Sequence, residues 1–233
     1  MSSRTRLFLG IAALFALGSN VQAQQAGDNI IGIGVARVAP SISLGSLNSV
    51  GPAATPFNAQ TADATASAGN VNTLSLSYLH MFTDNVGVDL VAGVPPKLTL
   101  DVHLKTSDHP AAATADALTP AVVVKYLFNA AADKARPYVG LGVTYATFSG
   151  VTANSSDALV NALGGSSASL SASWAPVYSA GLIYNINERF SVNASISYIP
   201  LKTTATFVGS GTTTTGSLEL NPTDYIIRLG YKF

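Results

Sequence analysis

The sequence predicts an all-β protein, an eight-stranded antiparallel up-and-down β-barrel that spans a membrane. Three observations lead there. Along the final segment, LELNPTDYIIRLGYKF, the residues Tyr225, Ile227, Leu229, Tyr231 and Phe233 are apolar or aromatic, while Asp224, Arg228, Gly230 and Lys232 between them are polar or small. That is the period of two of a strand with two unlike faces. Charged residues make up only 10% of the chain, against about 25% in ordinary soluble domains. Beyond the first residues no apolar run approaches the roughly 20 residues of a spanning helix. Hydrophobicity spread over alternate positions, ending on an aromatic strand with no tail, suits a closed barrel whose last strand pairs with its first.

Residues 1–23 read as a removable signal peptide. Arg4 and Arg6 form a basic start, residues 7–17 an apolar stretch, and Val21-Gln22-Ala23 a small-residue cleavage site. The barrel domain is then 24–233. Without Arg4 and Arg6 it carries ten basic and twelve acidic residues, a net charge of −2, which argues against nucleic acid as a partner. The chain has no cysteine, so neither a lipid-anchored N-terminus nor a disulfide framework is expected. An exported, weakly charged chain without a spanning helix belongs in the outer membrane of a Gram-negative bacterium. Its expected partners are outer-membrane lipid and lipopolysaccharide, with the barrel-assembly machinery reading the C-terminal strand that ends at Phe233.

Taken in order, the first strand covers residues 30–38, with Ile31, Ile33 and Val35 toward lipid and Gly32 and Gly34 inside. A Ser/Gly/Ala/Thr/Pro-rich loop follows to about residue 70. The second strand, 71–82, turns tightly at residues 83–85. The third, 86–104, keeps Val86, Val88, Leu90, Ala92, Val94, Leu98, Leu100, Val102 and Leu104 on even positions, all expected to face lipid. Its nineteen residues rise roughly 48 Å at about 3.3 Å each and about 40° tilt, so the wall should project well beyond an apolar band of about 25 Å. After a loop over 106–117 come strand four (118–128), a turn at 129–136 and strand five (137–148). A loop at 149–169, with one helical turn expected around 157–163, leads to strand six (170–184), interrupted at Pro176. A turn at 185–188 precedes strand seven (189–207), and a Gly/Ser/Thr loop at 208–216 precedes the last strand. Short and long connections alternate, which puts both termini on the periplasmic side. Phe82, Tyr126, Phe128, Tyr184, Phe190, Tyr231 and Phe233 recur near the short turns and form an aromatic girdle. A soluble eight-stranded barrel would invert the two faces; the girdle, the terminal phenylalanine and the small residues on the more polar face favour the membrane version.

Catalytic machinery is not in evidence. Of His80, His103 and His109, only His103, beside Asp101 and Lys105 by parity, could act as a base. No G-x-S-x-G elbow or metal-spacing cluster occurs. No catalytic residue, cofactor or metal is therefore expected. The inward charges are more informative. Asp89, Lys125 and Arg228 point inward at similar depth near the short turns. Eight strands leave a lumen just wide enough for side chains, so Asp89 should pair with Lys125 or Arg228. With Asn193 these residues are expected to plug the periplasmic end. Above them Val91, Gly93, Pro95, Ala121, Val123, Val177 and Ile183 make the lumen apolar, and Pro95-Pro96, Pro120, Pro176 and Pro200 mark candidate breaks in the wall.

The segments TDNVGVDLVAGVP (83–95), RPYVGLGVTYATF (136–148), Ser173-Trp174, INERFSVNASISY (186–198) and the LNPTDYIIRLGYKF ending resemble the OmpW family of outer-membrane proteins, which includes AlkL-like members. The likeness runs over most of residues 24–233 in the order of all eight strands. It implies a hydrophobic channel for passive uptake of small hydrophobic molecules, released sideways into the bilayer. It also implies a constriction at Val91 and Trp174. Val91 agrees with the parity, whereas Trp174 does so only if Pro176 carries a bulge; an interface aromatic is the other reading of Trp174. The alternative function is a structural or surface-interaction barrel whose loops bind host or phage and whose lumen transports nothing.

Overall fold

The computed structural model describes residues 24–52, 54–61, 63–105, 107–157, 160, 167–209 and 211–233. The expected signal peptide at 1–23 and most of the helical turn expected near 157–163 lie outside the described residues. The elements in order are β1 (Asn29–Ala39), β2 (Ser43–Leu44), β3 (Asn48–Val50), α1 (Ala54–Thr61), β4 (Thr65–Ala68), β5 (Val71–Met81), β6 (Val86–Gly93), β7 (Lys97–His103), β8 (Asp108–Leu118) and β9 (Ala121–Leu127). They continue with β10 (Ala135–Ala153), β11 (Ser167–Leu170), β12 (Ser173–Asn185), β13 (Phe190–Tyr198), β14 (Lys202–Gly209), β15 (Thr212–Glu219) and β16 (Thr223–Lys232).

Eight of these close the barrel. Antiparallel pairing runs β12-β13-β16-β1-β5-β6-β9-β10, and β10 returns to β12. The seam joins the two ends of the chain, from Ile30↔Lys232 to Ala39↔Thr223. It is close: a Cβ built on Gly34 would land on the carbonyl oxygen of Ile227, so this position tolerates no side chain without moving β16. The alternation read from the sequence holds through this belt, with Ile31, Ile33, Leu141, Ile227 and Leu229 among the exposed outer residues.

Five of the staves are interrupted at residues 94–96, 119–120, 171–172, 199–201 and 220–222. Four of these breaks hold a proline (Pro95-Pro96, Pro120, Pro200, Pro222), and Pro40 follows β1 directly. A proline donates nothing to a ladder, so these residues form a collar where the barrel changes character. Pro176, expected to break strand six, does not. It lies within β12, paired with Val143 in an unshifted register, and strand six breaks instead at 171–172.

Past the collar the wall continues as an extension, and several expected loops are strand there. Residues 108–118 form β8, and most of 208–216 belongs to the β14–β15 hairpin, which pairs from Lys202↔Glu219 to Gly209↔Thr212. The stretch after Pro40 contains β2, β3, α1 and β4, and β10 runs to Ala153. Weak hydrophobicity hid these strands, because Thr, Ser and Ala outside lipid need no apolar face. The third stave also changes face. Below the break Leu90 is exposed outward, but above it Leu98 and Leu100 line interior cavities. The expectation of one lipid-facing set from Val86 to Leu104 is corrected: three non-strand residues at Val94-Pro95-Pro96 reset the phase.

The aromatic girdle near the short turns is present in part as ring pairs, Tyr126–Phe128 at 5.1 Å and Phe190–Tyr231 at 5.3 Å. A second one, not anticipated, gathers exposed Tyr145, Trp174, Tyr178, Tyr198 and Tyr225 on the outer wall toward the collar. Tyr184 and Trp174 lie ten residues apart on β12, which at about 3.3 Å per residue and about 40° tilt separates them by roughly 25 Å, the height of an apolar band. A nitroxide at Leu141→Cys should therefore collide with oxygen dissolved in lipid, while one at Leu98→Cys, also facing lipid by simple parity, should not. Oxygen accessibility measured by spin-label relaxation checks this.

Candidate functional site: a layered lumen

The lumen is built in layers from the short-turn end. The lowest is a polar clamp. Arg136, fully buried, donates from Nη1 to the Gln24 carbonyl at 2.7 Å and from Nη2 to the Asp84 carbonyl at 2.5 Å. Gln24 Nε2 donates to Asn185 Oδ1 at 2.6 Å, and Asn185 Nδ2 donates to the Asp133 carbonyl at 3.1 Å. One guanidinium and two amides thus tie the entering chain to the turns after β5 and β9 and to the end of β12. Arg136 was expected in a turn, and Gln24 and Asn185 carried no expectation. The signal for Arg136 was available: even-numbered residues of strand five point inward, and extending that alternation two steps below Tyr138 reaches it.

Next comes an apolar layer of Ile30, Leu79, Met81, Leu127, Tyr138 and Ile183. Ile183, expected higher in the lumen, packs here.

Over it lies the charge layer. Asp89 Oδ2 is 2.6 Å from Lys125 Nζ, and Asp89 is 1% exposed. Lys125 Nζ also stands 4.4 Å from the centre of the Tyr138 ring, and Tyr138 donates its hydroxyl hydrogen to Asn193 Oδ1 at 3.3 Å. Arg228, paired in register with Asn193, donates through Nε and Nη2 to Ser75 Oγ at 2.9 and 2.7 Å. The structure therefore brings Asp89, Lys125, Asn193 and Arg228 around one small cavity. Of the two partners expected for Asp89, Lys125 is the one in contact.

Above this opens the main chamber. Its wall contains Val91, Val123, Val177, Ile199, Leu201 and Leu220, several of them from the cluster that includes Ala146, Ala175 and Leu218. Val91 faces this chamber. Trp174 does not: it is 69% exposed on the outer wall, its ring 4.8 Å from that of Tyr145. With no register shift at Pro176, Ala175 and Val177 point inward and Trp174 outward, so Trp174 cannot narrow the lumen in this conformation. It belongs to the second girdle.

Trp174 nevertheless borders a second feature. The β6–β9 ladder stops at Val91↔Ala121 and resumes as β7–β8 at Lys97↔Asp116. Pro120 gives its carbonyl to Thr144 Oγ1 at 2.8 Å and Tyr145 N at 3.2 Å, toward β10 and away from β6. Outside this interruption lies a groove lined by Leu90, Val122, Val143, Tyr145 and Trp174, and Val91, Ala92 and Ala121 line both groove and chamber.

None of the histidines lines either space. His103 sits 2.9 Å from Asp108 and 3.0 Å from Ser67 rather than with Asp101 and Lys105, which engage the Ala111 N–H and Asp63. His109 contacts both Asp157 oxygens at 3.0 Å and Ser107 at 2.8 Å, and His80 contacts Asn29 at 2.8 Å. Among the described residues no three His, Cys, Asp or Glu residues group as metal ligands.

A closed, aromatic-girdled barrel with apolar residues outside and buried charge inside is an integral outer-membrane barrel protein. Comparison makes the assignment narrower: the OmpW family model matches residues 25–233, and the chain belongs to that family. It is 33% identical over 231 residues to outer membrane protein W of Vibrio cholerae, covering 96% of this chain and 97% of that protein. It is 28% identical to outer membrane protein AlkL of Ectopseudomonas oleovorans over 229 residues, 97% of this chain and 91% of that one. Among solved structures, the crystal structure of the outer membrane protein OprG from Pseudomonas aeruginosa superposes with a TM-score of 0.79 at 29% identity, over 91% of this chain and 99% of that chain. These relatives are outer-membrane proteins.

Removing one member of the buried ion pair should cost more than removing both. Asp89→Ala leaves Lys125 uncompensated and should destabilise the barrel by about 3–5 kcal/mol, whereas Asp89→Leu with Lys125→Met should come within about 1 kcal/mol of the parent. Urea unfolding in lipid vesicles, followed by heat-modifiable gel mobility, measures both.

Proposed function

We propose that the protein is a passive channel through which small hydrophobic molecules enter the outer membrane from outside and leave sideways into the bilayer. The observation that carries this is the sharing of Val91, Ala92 and Ala121 between the apolar chamber and the groove on the outer wall. In this reading the long-loop end faces outward and the short-turn end, with both termini, faces the periplasm. A molecule enters through the extension, where Leu98, Leu100, Phe148, Leu170 and Phe207 line a further apolar cavity. It descends to the collar and meets Val91 beside the interrupted ladder. Apolar walls give a hydrophobic solute no penalty on the way and deny a hydrated one its hydrogen bonds. The clamp and the charge layer together act as the plug, Asp89, Lys125, Asn193 and Arg228 supplying its upper part. Lateral exit is favoured because acyl chains take over the apolar contacts without passing through water.

Cleavage after Ala23 would leave Gln24 as the first residue, already seated in the clamp. Contacts with lipopolysaccharide through the extension and with the assembly machinery through the strand ending at Phe233 complete this reading.

Cells carrying the protein should take up a long-chain alkane or fatty-acid ester several-fold faster than cells lacking it; equal uptake would favour a surface-interaction barrel. Planar-bilayer recordings address the plug separately: Asp89→Ala combined with Arg228→Ala should raise ion conductance, and an unchanged trace would show that the charge layer does not block the lumen.

A further inference from the structure

The chamber is not uniformly apolar. Asp224, on β16 four residues above Arg228, lines it, and its Oδ1 is buried with no hydrogen-bond partner among the described residues. Asp89 Oδ1, at the floor of the same chamber, is the other buried side-chain oxygen in this condition. Such an acceptor is costly unless something donates to it. The nearby donors bond elsewhere, Arg228 Nε and Nη2 to Ser75, Lys125 to Asp89 Oδ2, and the Ser197 hydroxyl to Ser179 Oγ at 3.1 Å, and no other N–H or O–H of these residues reaches Asp224 Oδ1. Ser197, opposite Asp224 in the ladder, therefore does not satisfy it.

We propose that Asp224 is a subsite for the hydroxyl head of an aliphatic alcohol, whose chain fills the apolar chamber above it. The subsite rests on the channel reading and narrows it from hydrophobic molecules in general to those ending in a neutral hydrogen-bond donor. Charge balance selects the head. Asp89 and Asp224 against Lys125 and Arg228 sum to zero in the ionised state, so a neutral donor leaves the lumen balanced, whereas a carboxylate adds an anion beside an unsatisfied anionic oxygen. The surroundings select the tail: Pro40, Val38, Leu201, Leu220 and Pro222 line the chamber above and beside Asp224, and none of them donates a side-chain hydrogen bond. An alkane fills the same space but leaves Asp224 Oδ1 without a partner and displaces any water that supplied one.

The test is the binding of 1-octanol, octane and octanoate to the full-length protein in lipid nanodiscs, by ligand-observed NMR with empty nanodiscs as reference. Octanol should bind about tenfold more tightly than octane and more tightly than octanoate, and Asp224→Leu should abolish the preference for octanol while still binding octane. Retained octane binding and heat-modifiable mobility show that the variant is folded. Equal affinity for octanol and octane in the parent protein, tighter binding of octanoate, or an undiminished preference in Asp224→Leu would overturn the subsite and leave the channel standing. Binding of none of the three would overturn both.

Discussion

Every other feature depends on one constraint, that a backbone amide facing lipid must find its partner within the protein. An open sheet edge in hydrocarbon leaves a row of polar groups unpaired at several kcal/mol each. The β1–β16 seam removes that edge by joining residues from opposite ends of the chain. Closure with only eight staves then fixes the lumen width, and the narrow lumen forces the inward residues either to be small or to satisfy one another. Gly34 beside the backbone of β16 shows the first outcome, and Asp89 against Lys125 the second. The proline collar fits the same constraint: a missing donor costs least where the wall is leaving the hydrocarbon, and Pro40, Pro95, Pro96, Pro120, Pro200 and Pro222 all flank or interrupt strands there.

That constraint also explains what was legible in the sequence. Within the belt, lipid on one face and a packed lumen on the other leave a strong period of two, and strands such as β1, β13 and β16 can be read directly. Outside the belt water replaces lipid, both faces tolerate Thr, Ser and Ala, and the period fades. Most of β15 and of β8 therefore looked like loops. The third stave misled in another way. Its even-numbered apolar residues continue unbroken through Pro95-Pro96, but the face they occupy changes from lipid to lumen, because an apolar residue suits either. Periodicity alone carries no sign.

Trp174 shows the limit of carrying a role by resemblance. Parity placed it outside the lumen, and the unbroken register through Pro176 keeps it there. Its position on the outer wall beside Tyr145, about one hydrocarbon thickness from Tyr184, is that of an indole at a membrane interface. The charge layer was easier to read, since an ionisable residue at an inward position of a narrow barrel needs a partner and few are within reach. The clamp below it was harder. Arg136 and Asn185 act through backbone carbonyls supplied by turns, and a carbonyl has no signature in a sequence.

The order of the layers bears on the proposed channel function. A lumen polar throughout would pass water and ions, and one apolar throughout would give a hydrophobic solute no reason to stop at any level. Here the chamber ends on a layer in which Asp89 is paired with Lys125 and Arg228 is bonded to Ser75, so a hydrophobic molecule going deeper would have to separate Asp89 from Lys125. The wall is interrupted just above that barrier, where Val91 and Ala121 form the last ladder pair before the collar. In the proposed reading, a solute that prefers hydrocarbon to water, blocked below and flanked by a break in the hydrogen-bonded wall, would have its lowest path sideways. In the proposed channel the plug and the gap would be one device: the first makes the axial route costly, and the second makes the lateral one available.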